Sequence, residues 1–148
     1  LFIAEFQASN NSLLRGSITL QTAAKDNVGA DVSVTLNGLE QNNGPFDFHI
    51  HKARVPADGN CTATTGHYDP MGAGGGSYKC NVSTRQFCEI GDLSGKWGAA
   101  PKEGGQFSSR FTDVYLGTNP TGPNYVGNLS VVVHSGYTGY RIACANLV

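Results

Sequence analysis

The four histidines of this chain fall in three short motifs: Phe48-His49-Ile50-His51, Gly66-His67-Tyr68-Asp69-Pro70 and Val131-Val132-Val133-His134. The run from Phe46 to Lys52 alternates as a strand does, so His49 and His51 share a face, with Cα atoms about 6.6 Å apart. Phe46, Phe48 and Ile50 take the opposite face, toward a core. Two imidazoles on one face of a rigid strand are half of a metal site. His67 and His134, at a loop and at a strand end, are available for the other half. Imidazole nitrogen is a good ligand for a transition metal. A lone His-x-His pair is more often simple packing, but here all four histidines of the chain lie in such motifs.

The elements that must hold these residues read as short strands. Ile3–Gln7, Gly16–Leu20 and Val32–Leu36 alternate apolar and polar residues, and Asn37-Gly38 signals a turn after the third. Phe46–Lys52 is the fourth run. From Ala53 to about Gly105 the pattern dissolves into Gly, Pro, Asn and Cys, with Gly72-Ala73-Gly74-Gly75-Gly76 at its centre. Structureless stretches beyond about 12–15 residues are uncommon in compact domains and are usually functional. Periodicity returns at Gln106–Ser108 and Val114–Leu116, then in two strong runs, Asn128–His134 and Gly139–Ala145. No stretch carries a sustained 3.6-residue apolar repeat. Many short strands with frequent turn signals predict an antiparallel sandwich or barrel.

Composition agrees. The chain has 148 residues, 14% of them charged, and 20 glycines, against a usual ~25% charged and ~7% glycine. This length is expected to form one domain, residues 1–148. A net charge of -1 with dispersed lysines and arginines gives no footprint for nucleic acid. No apolar run approaches the ~20 residues of a membrane-spanning helix. The opening Leu1-Phe2-Ile3-Ala4 is too short for a signal-peptide apolar region, and without an initiator Met the chain reads as a processed form. Cys61, Cys80, Cys88 and Cys144, with no CxxC spacing, argue for two disulfides, for which three pairings are open. Sequons at Asn10, Asn81 and Asn128, and a fourth at Asn60 beside Cys61, fit an extracellular glycoprotein.

Taken in order, Phe48-His49-Ile50-His51, Gly66-His67-Tyr68-Asp69-Pro70, Gly91-Asp92-Leu93, Val132-Val133-His134 and Arg141-Ile142-Ala143-Cys144 resemble the copper/zinc superoxide dismutase family in sequence and spacing. The resemblance implies an eight-stranded Greek-key β-barrel. It implies copper ligation by His49, His51, His67 and His134, and an anion-attracting arginine at Arg141 beside the copper. It also implies a Cys61–Cys144 disulfide, which leaves Cys80 to pair with Cys88. The first bridge would close a loop worth roughly 4–5 kcal/mol in chain entropy.

Two departures narrow the resemblance. The family's zinc site uses three histidines, one shared with copper, and an aspartate. Here only His67 and Asp92 remain of those four; Glu89 stands where the last zinc histidine would be, and Met71–Lys79 holds no histidine. A structural zinc needs four protein ligands, so none is expected. The long charged loop of the zinc branch is replaced by Ser135-Gly136-Tyr137-Thr138-Gly139-Tyr140, so the copper should lie open to solvent. Both features resemble the secreted or cell-surface copper-only dismutases of fungi, which implies superoxide as substrate and a monomer.

Without zinc, another group must hold the far nitrogen of His67. Asp92 is the expected partner, with Glu89 supporting it or relaying protons, since metal-bound histidines usually donate their second N–H to a carboxylate. Either acid could instead be an ordinary loop residue capping backbone N–H groups. Trp97, Tyr137 and Tyr140 are expected to pack against loops. The rival readings are a copper-holding module without useful turnover and a structural wall domain on the same fold; a buffer has no need of Arg141. No GxSxG, GxGxxG or Walker pattern supports other chemistry.

Overall fold

Alternating side chains build seven strands: β1 (Phe2–Phe6), β2 (Arg15–Thr22), β3 (Ala30–Leu39), β4 (Phe46–His51), β5 (Gly105–Asp113), β6 (Ser130–Ser135) and β7 (Arg141–Asn146). The structure, a computed structural model, describes residues 1–9 and 12–148, so the sequon at Asn10 lies outside the described residues. The strands form two antiparallel sheets, ordered β1-β2-β3-β5 and β4-β6-β7. Ile18 and Leu20 of β2, Val32, Val34 and Leu36 of β3, Phe46, Phe48 and Ile50 of β4, and Val131 and Val133 of β6 make one core between the sheets. The outer face of the three-stranded sheet is thereby left to His49, His51 and His134.

The architecture corrects the expected eight-stranded barrel. Among the described residues there are seven strands in an unclosed sandwich. The run Val114–Leu116 is a turn, because Asp113 takes the Tyr115 N–H at 2.9 Å and ends the strand. Nor does Asn37-Gly38 end β3. The strand runs on through a bulge between Leu36 and Leu39, where Gly38 has φ +75° and a Cβ would meet the Leu13 carbonyl oxygen at 2.3 Å. β5 extends to Asp113 because Phe107 and Phe111 alternate inward against exposed Ser108, Arg110 and Thr112.

The long irregular segment is not structureless. It holds two 3₁₀ turns, Cys61–Thr64 and Val82–Phe87, and a short helix α1 (Leu93–Trp97). Part of it covers the edge of β4 that faces away from β6. Ile50 N–H donates to Gly91 O at 2.9 Å, Phe48 N–H to Ser94 Oγ at 3.0 Å and Phe46 N–H to Ala100 O at 2.8 Å. An open edge would be a site for stray strand pairing. Gly91 is required there, since a Cβ would come within 2.4 Å of Ile50 O. This docking brings residues 89–92 alongside His49.

Lys96 anchors the same segment from below. Its buried ammonium donates to Ile90 O at 2.9 Å and pairs with buried Asp113, which also accepts from Trp97 Nε1 at 2.8 Å. Burial pulls the Lys96 pKa down, against the opposing charge of Asp113. Trp97 stacks on Phe111, and Arg85 lies 4.4 Å over its ring. Trp97 thus packs as expected, whereas Tyr137 and Tyr140 do not: they are 78% and 73% exposed.

Candidate metal centre

Strand register fixes three of the four histidines. In the β4–β6 ladder His49 lies opposite Val132 and Asp47 opposite His134, so all three histidines of the sheet project from one face. His67 arrives from the loop, its backbone bridged to His51, with Lys52 N–H donating to Gly66 O at 3.1 Å. One ligand atom from each of His49, His51, His67 and His134 lies within 4.8 Å of all the others.

The ring nitrogens sort into two sets. His51 Nδ1 lies 3.0 Å from Thr65 O, His67 Nδ1 2.8 Å from Glu89 Oε1, His49 Nε2 3.5 Å from Asp92 Oδ1 and His134 Nδ1 3.5 Å from Gly139 O. Each of those oxygens is an acceptor, so these nitrogens carry the protons. The remaining nitrogens then present lone pairs. His51 Nε2 and His134 Nε2 face each other at 3.2 Å, and His49 Nδ1 is buried with no hydrogen-bond partner. Neutral lone pairs aimed at one another, with a buried orphan among them, are what a metal cation resolves. The donor set is all imidazole nitrogen, which fits copper.

Electrostatics keeps His49, His51 and His134 neutral, as ligation requires. Burial lowers His49 to a pKa of about 2, His51 to about 3 and His134 to about 4. Repulsion among the rings adds to this, and the bonds of His51 and His134 to backbone carbonyls oppose it.

The carboxylates divide the work differently from the expectation. Glu89, not Asp92, is the direct partner of His67. Asp92 lies against His49, caps α1 by accepting from Gly95 N–H at 2.9 Å and accepts from Tyr78 Oη at 2.8 Å. The physical reason is the tight turn at 89–92, closed by Asp92 N–H to Glu89 O at 3.1 Å. It places the two acids on neighbouring rings. Gly74 lets the loop backbone cover Glu89, since a Cβ there would come within 2.3 Å of Glu89 Oε2.

Two further residues border the site without a signal in the sequence. Asp47 shares the histidine face of β4, and its pKa is raised by burial and by Asp92. Tyr78 emerges from the glycine-rich stretch, where nothing in the local pattern singles it out.

Cys61–Cys144 and Cys80–Cys88 are the two disulfides. The first lies beside Arg141, whose Nη1 donates to Cys61 O at 2.9 Å and Thr64 Oγ1 at 2.8 Å and lies 3.5 Å from His51 Nδ1. Arg141 lines an open cleft of about 880 Å³ together with Asp58, Asn60 and Tyr140.

The family profile described as copper/zinc superoxide dismutase matches residues 14–147. The cell-surface Cu-only superoxide dismutase 5 of Candida albicans is 35% identical over 145 residues, covering 98% of this chain and 59% of that protein. The cell-surface superoxide dismutase 4 of the same organism, described as Cu-Zn, is 35% identical over 98% of this chain and 58% of its own length. The chain thus spans less than two thirds of the length of these relatives. The solved Cu(II) structure of Candida albicans superoxide dismutase 5 superposes with a TM-score of 0.86 at 34% identity, over 99% of this chain and 89% of that one. With the profile matched over residues 14–147 of the chain and four imidazoles converging on one point, this chain belongs to the copper/zinc superoxide dismutase family.

Proposed function

We propose that this chain is a copper-only superoxide dismutase, converting two superoxide ions and two protons to O2 and hydrogen peroxide without zinc. One observation carries the reading: four imidazole lone pairs converge while Nδ1 of His67, which would face a second metal, is engaged by Glu89 at 2.8 Å. The Cu-only description of Candida albicans superoxide dismutase 5 supports the same reading. Bound through His49, His51, His67 and His134, copper supplies a one-electron couple that oxidises one superoxide and reduces the next.

The protein's own residues supply position, charge and protons. Thr65 O accepts from the outer nitrogen of His51 at 3.0 Å, and Asp92 Oδ1 faces that of His49 at 3.5 Å, which orients both rings. The His67 side chain is 32% exposed, and its outer nitrogen is held by a carboxylate that is 9% exposed. With Glu89 keeping Nδ1–H in place, His67 Nε2 is the ligand nitrogen on which we place a solvent proton. That proton is one of the two needed to form peroxide. Arg141 adds a fixed positive charge at the rim, where an anion approaches. Steering of this kind raises association rates by roughly 10–10³-fold, a range for which superoxide dismutases are themselves a standard example.

The proposal includes an extracellular or cell-surface address and a monomer. Two disulfides support the address, as do exposed sequon asparagines at Asn60, Asn81 and Asn128 and the cell-surface relatives. No helix among the described residues is long and apolar enough to cross a membrane. The test is superoxide decay by copper-loaded, zinc-stripped protein, normalised to bound copper. Fast decay proportional to copper is expected. Tight copper binding with decay no faster than metal-free protein would leave a copper-holding module instead.

A further inference from the structure

The two acids that orient His49 and His67 meet at a third side chain. Tyr78 Oη donates to Asp92 Oδ2 at 2.8 Å and accepts the Glu89 backbone N–H at 3.0 Å. One phenol oxygen thus lies between Asp92, which faces His49 Nε2, and the backbone of Glu89, which holds His67 Nδ1. The local chain is built to bring it there. Tyr78 N–H closes a turn onto Gly75 O at 3.0 Å, and the Cys80–Cys88 disulfide draws the end of this loop beside the start of the 89–92 turn. Residues 75–77 and 79 are exposed, while Tyr78 between them is half-buried. Burial first, and then the two carboxylates, push its hydroxyl well above the usual phenol range, so it remains a donor.

We propose that Tyr78 is a positioning residue of the metal centre, orienting His49 through Asp92 and His67 through Glu89. The inference rests on the copper reading above. Asp92 Oδ1 is already held by Gly95 N–H, so the phenol fixes the remaining freedom of the carboxylate. It also draws charge toward Oδ2. Without it, Asp92 becomes a stronger acceptor for His49 Nε2–H, the imidazole becomes a stronger donor to copper, and the copper reduction potential falls.

The test is Tyr78→Phe in copper-loaded, zinc-stripped full chain, with exposed Lys79→Ala as the control in the same loop. Tyr78→Phe is expected to keep one copper, to shift the Cu(II) electron paramagnetic resonance spectrum, to lower the reduction potential and to slow superoxide decay about 10-fold, as losing an outer partner of a ligand does. Lys79→Ala should change none of these. In an Asp92→Asn background, Tyr78→Phe should move the potential little further, because the route through Asp92 is already broken. A Tyr78→Phe protein with parental spectrum, potential and rate, and only a lower melting temperature, would reduce Tyr78 to a loop staple. A parent chain that does not bind copper through four nitrogens would overturn the copper reading itself, a result visible before any variant is made.

Discussion

His49, His51 and His134 stand on paired strands, whereas His67 stands on a loop, and the difference sets how each can move. The strand histidines inherit their positions from the β4–β6 register and a core of fully buried Phe46, Phe48 and Ile50. His67 is held by a backbone bridge to His51 and by Glu89. Paired strands resist displacement by many bonds at once, while a loop residue yields when one or two give way. The same metal site is therefore expected to have a rigid three-nitrogen side and an adjustable fourth ligand.

Breaking the loop's anchorage should cost most. Lys96→Met leaves Asp113 charged, buried and unpaired, and is expected to destabilise the protein by about 3–5 kcal/mol. Lys96→Met with Asp113→Leu should recover much of that loss, measured by denaturant unfolding. The two disulfides give a graded comparison in the same assay. Replacing Cys61 and Cys144 by serine opens a loop with a separation of 83 residues, against 8 for Cys80 and Cys88. Chain entropy predicts losses of about 4–5 and about 2–3 kcal/mol respectively.

Effects on the site itself should be smaller in free energy and sharper in function. Glu89→Ala frees His67 and should cost about 10–100-fold in superoxide decay per copper. Asp92→Asn should affect the spectrum through His49 instead; equal behaviour of the two variants would erase the distinction between the sides. Arg141→Ile should lower the rate and flatten its dependence on ionic strength, as read by stopped-flow decay across a salt series.

Acid should expose the rigid side. His49, His51 and His134 fold with pKa values of about 2, 3 and 4, below the unfolded value of 6.5. Between those values the unfolded chain binds more protons than the folded one, so stability rises with pH there. Metal-free protein is thus expected to lose stability progressively as pH falls below about 6.5, with no contribution from these groups above it. Chemical denaturation across pH checks this; a flat profile from pH 7 to 4 would contradict it.

Much of this was legible before the fold was seen. Period-2 alternation marks β1, β2, β3 and β4, and the placement of the histidines marks the metal. The pairing of the cysteines came from family resemblance, since spacing alone left three choices. What sequence could not resolve was side-chain reach across a tight turn. Glu89 and Asp92 are three residues apart, and only the turn that α1 and Gly91 impose decides which acid meets which ring. Tyr78 was hidden for a related reason: its partners lie eleven and fourteen residues on, joined to it by the Cys80–Cys88 bridge. The expected strand at Val114–Leu116 failed because Asp113 turns the chain there, a side-chain bond that periodicity does not register.

The division between a rigid side and an adjustable ligand is tested most directly by X-ray absorption at the copper edge, on oxidised and reduced copper-loaded protein. Loss of one nitrogen on reduction in the parent, with Glu89→Ala losing it in the oxidised state as well, is the predicted result. A copper site with the same nitrogen count in both oxidation states, unchanged by Glu89→Ala, would contradict it.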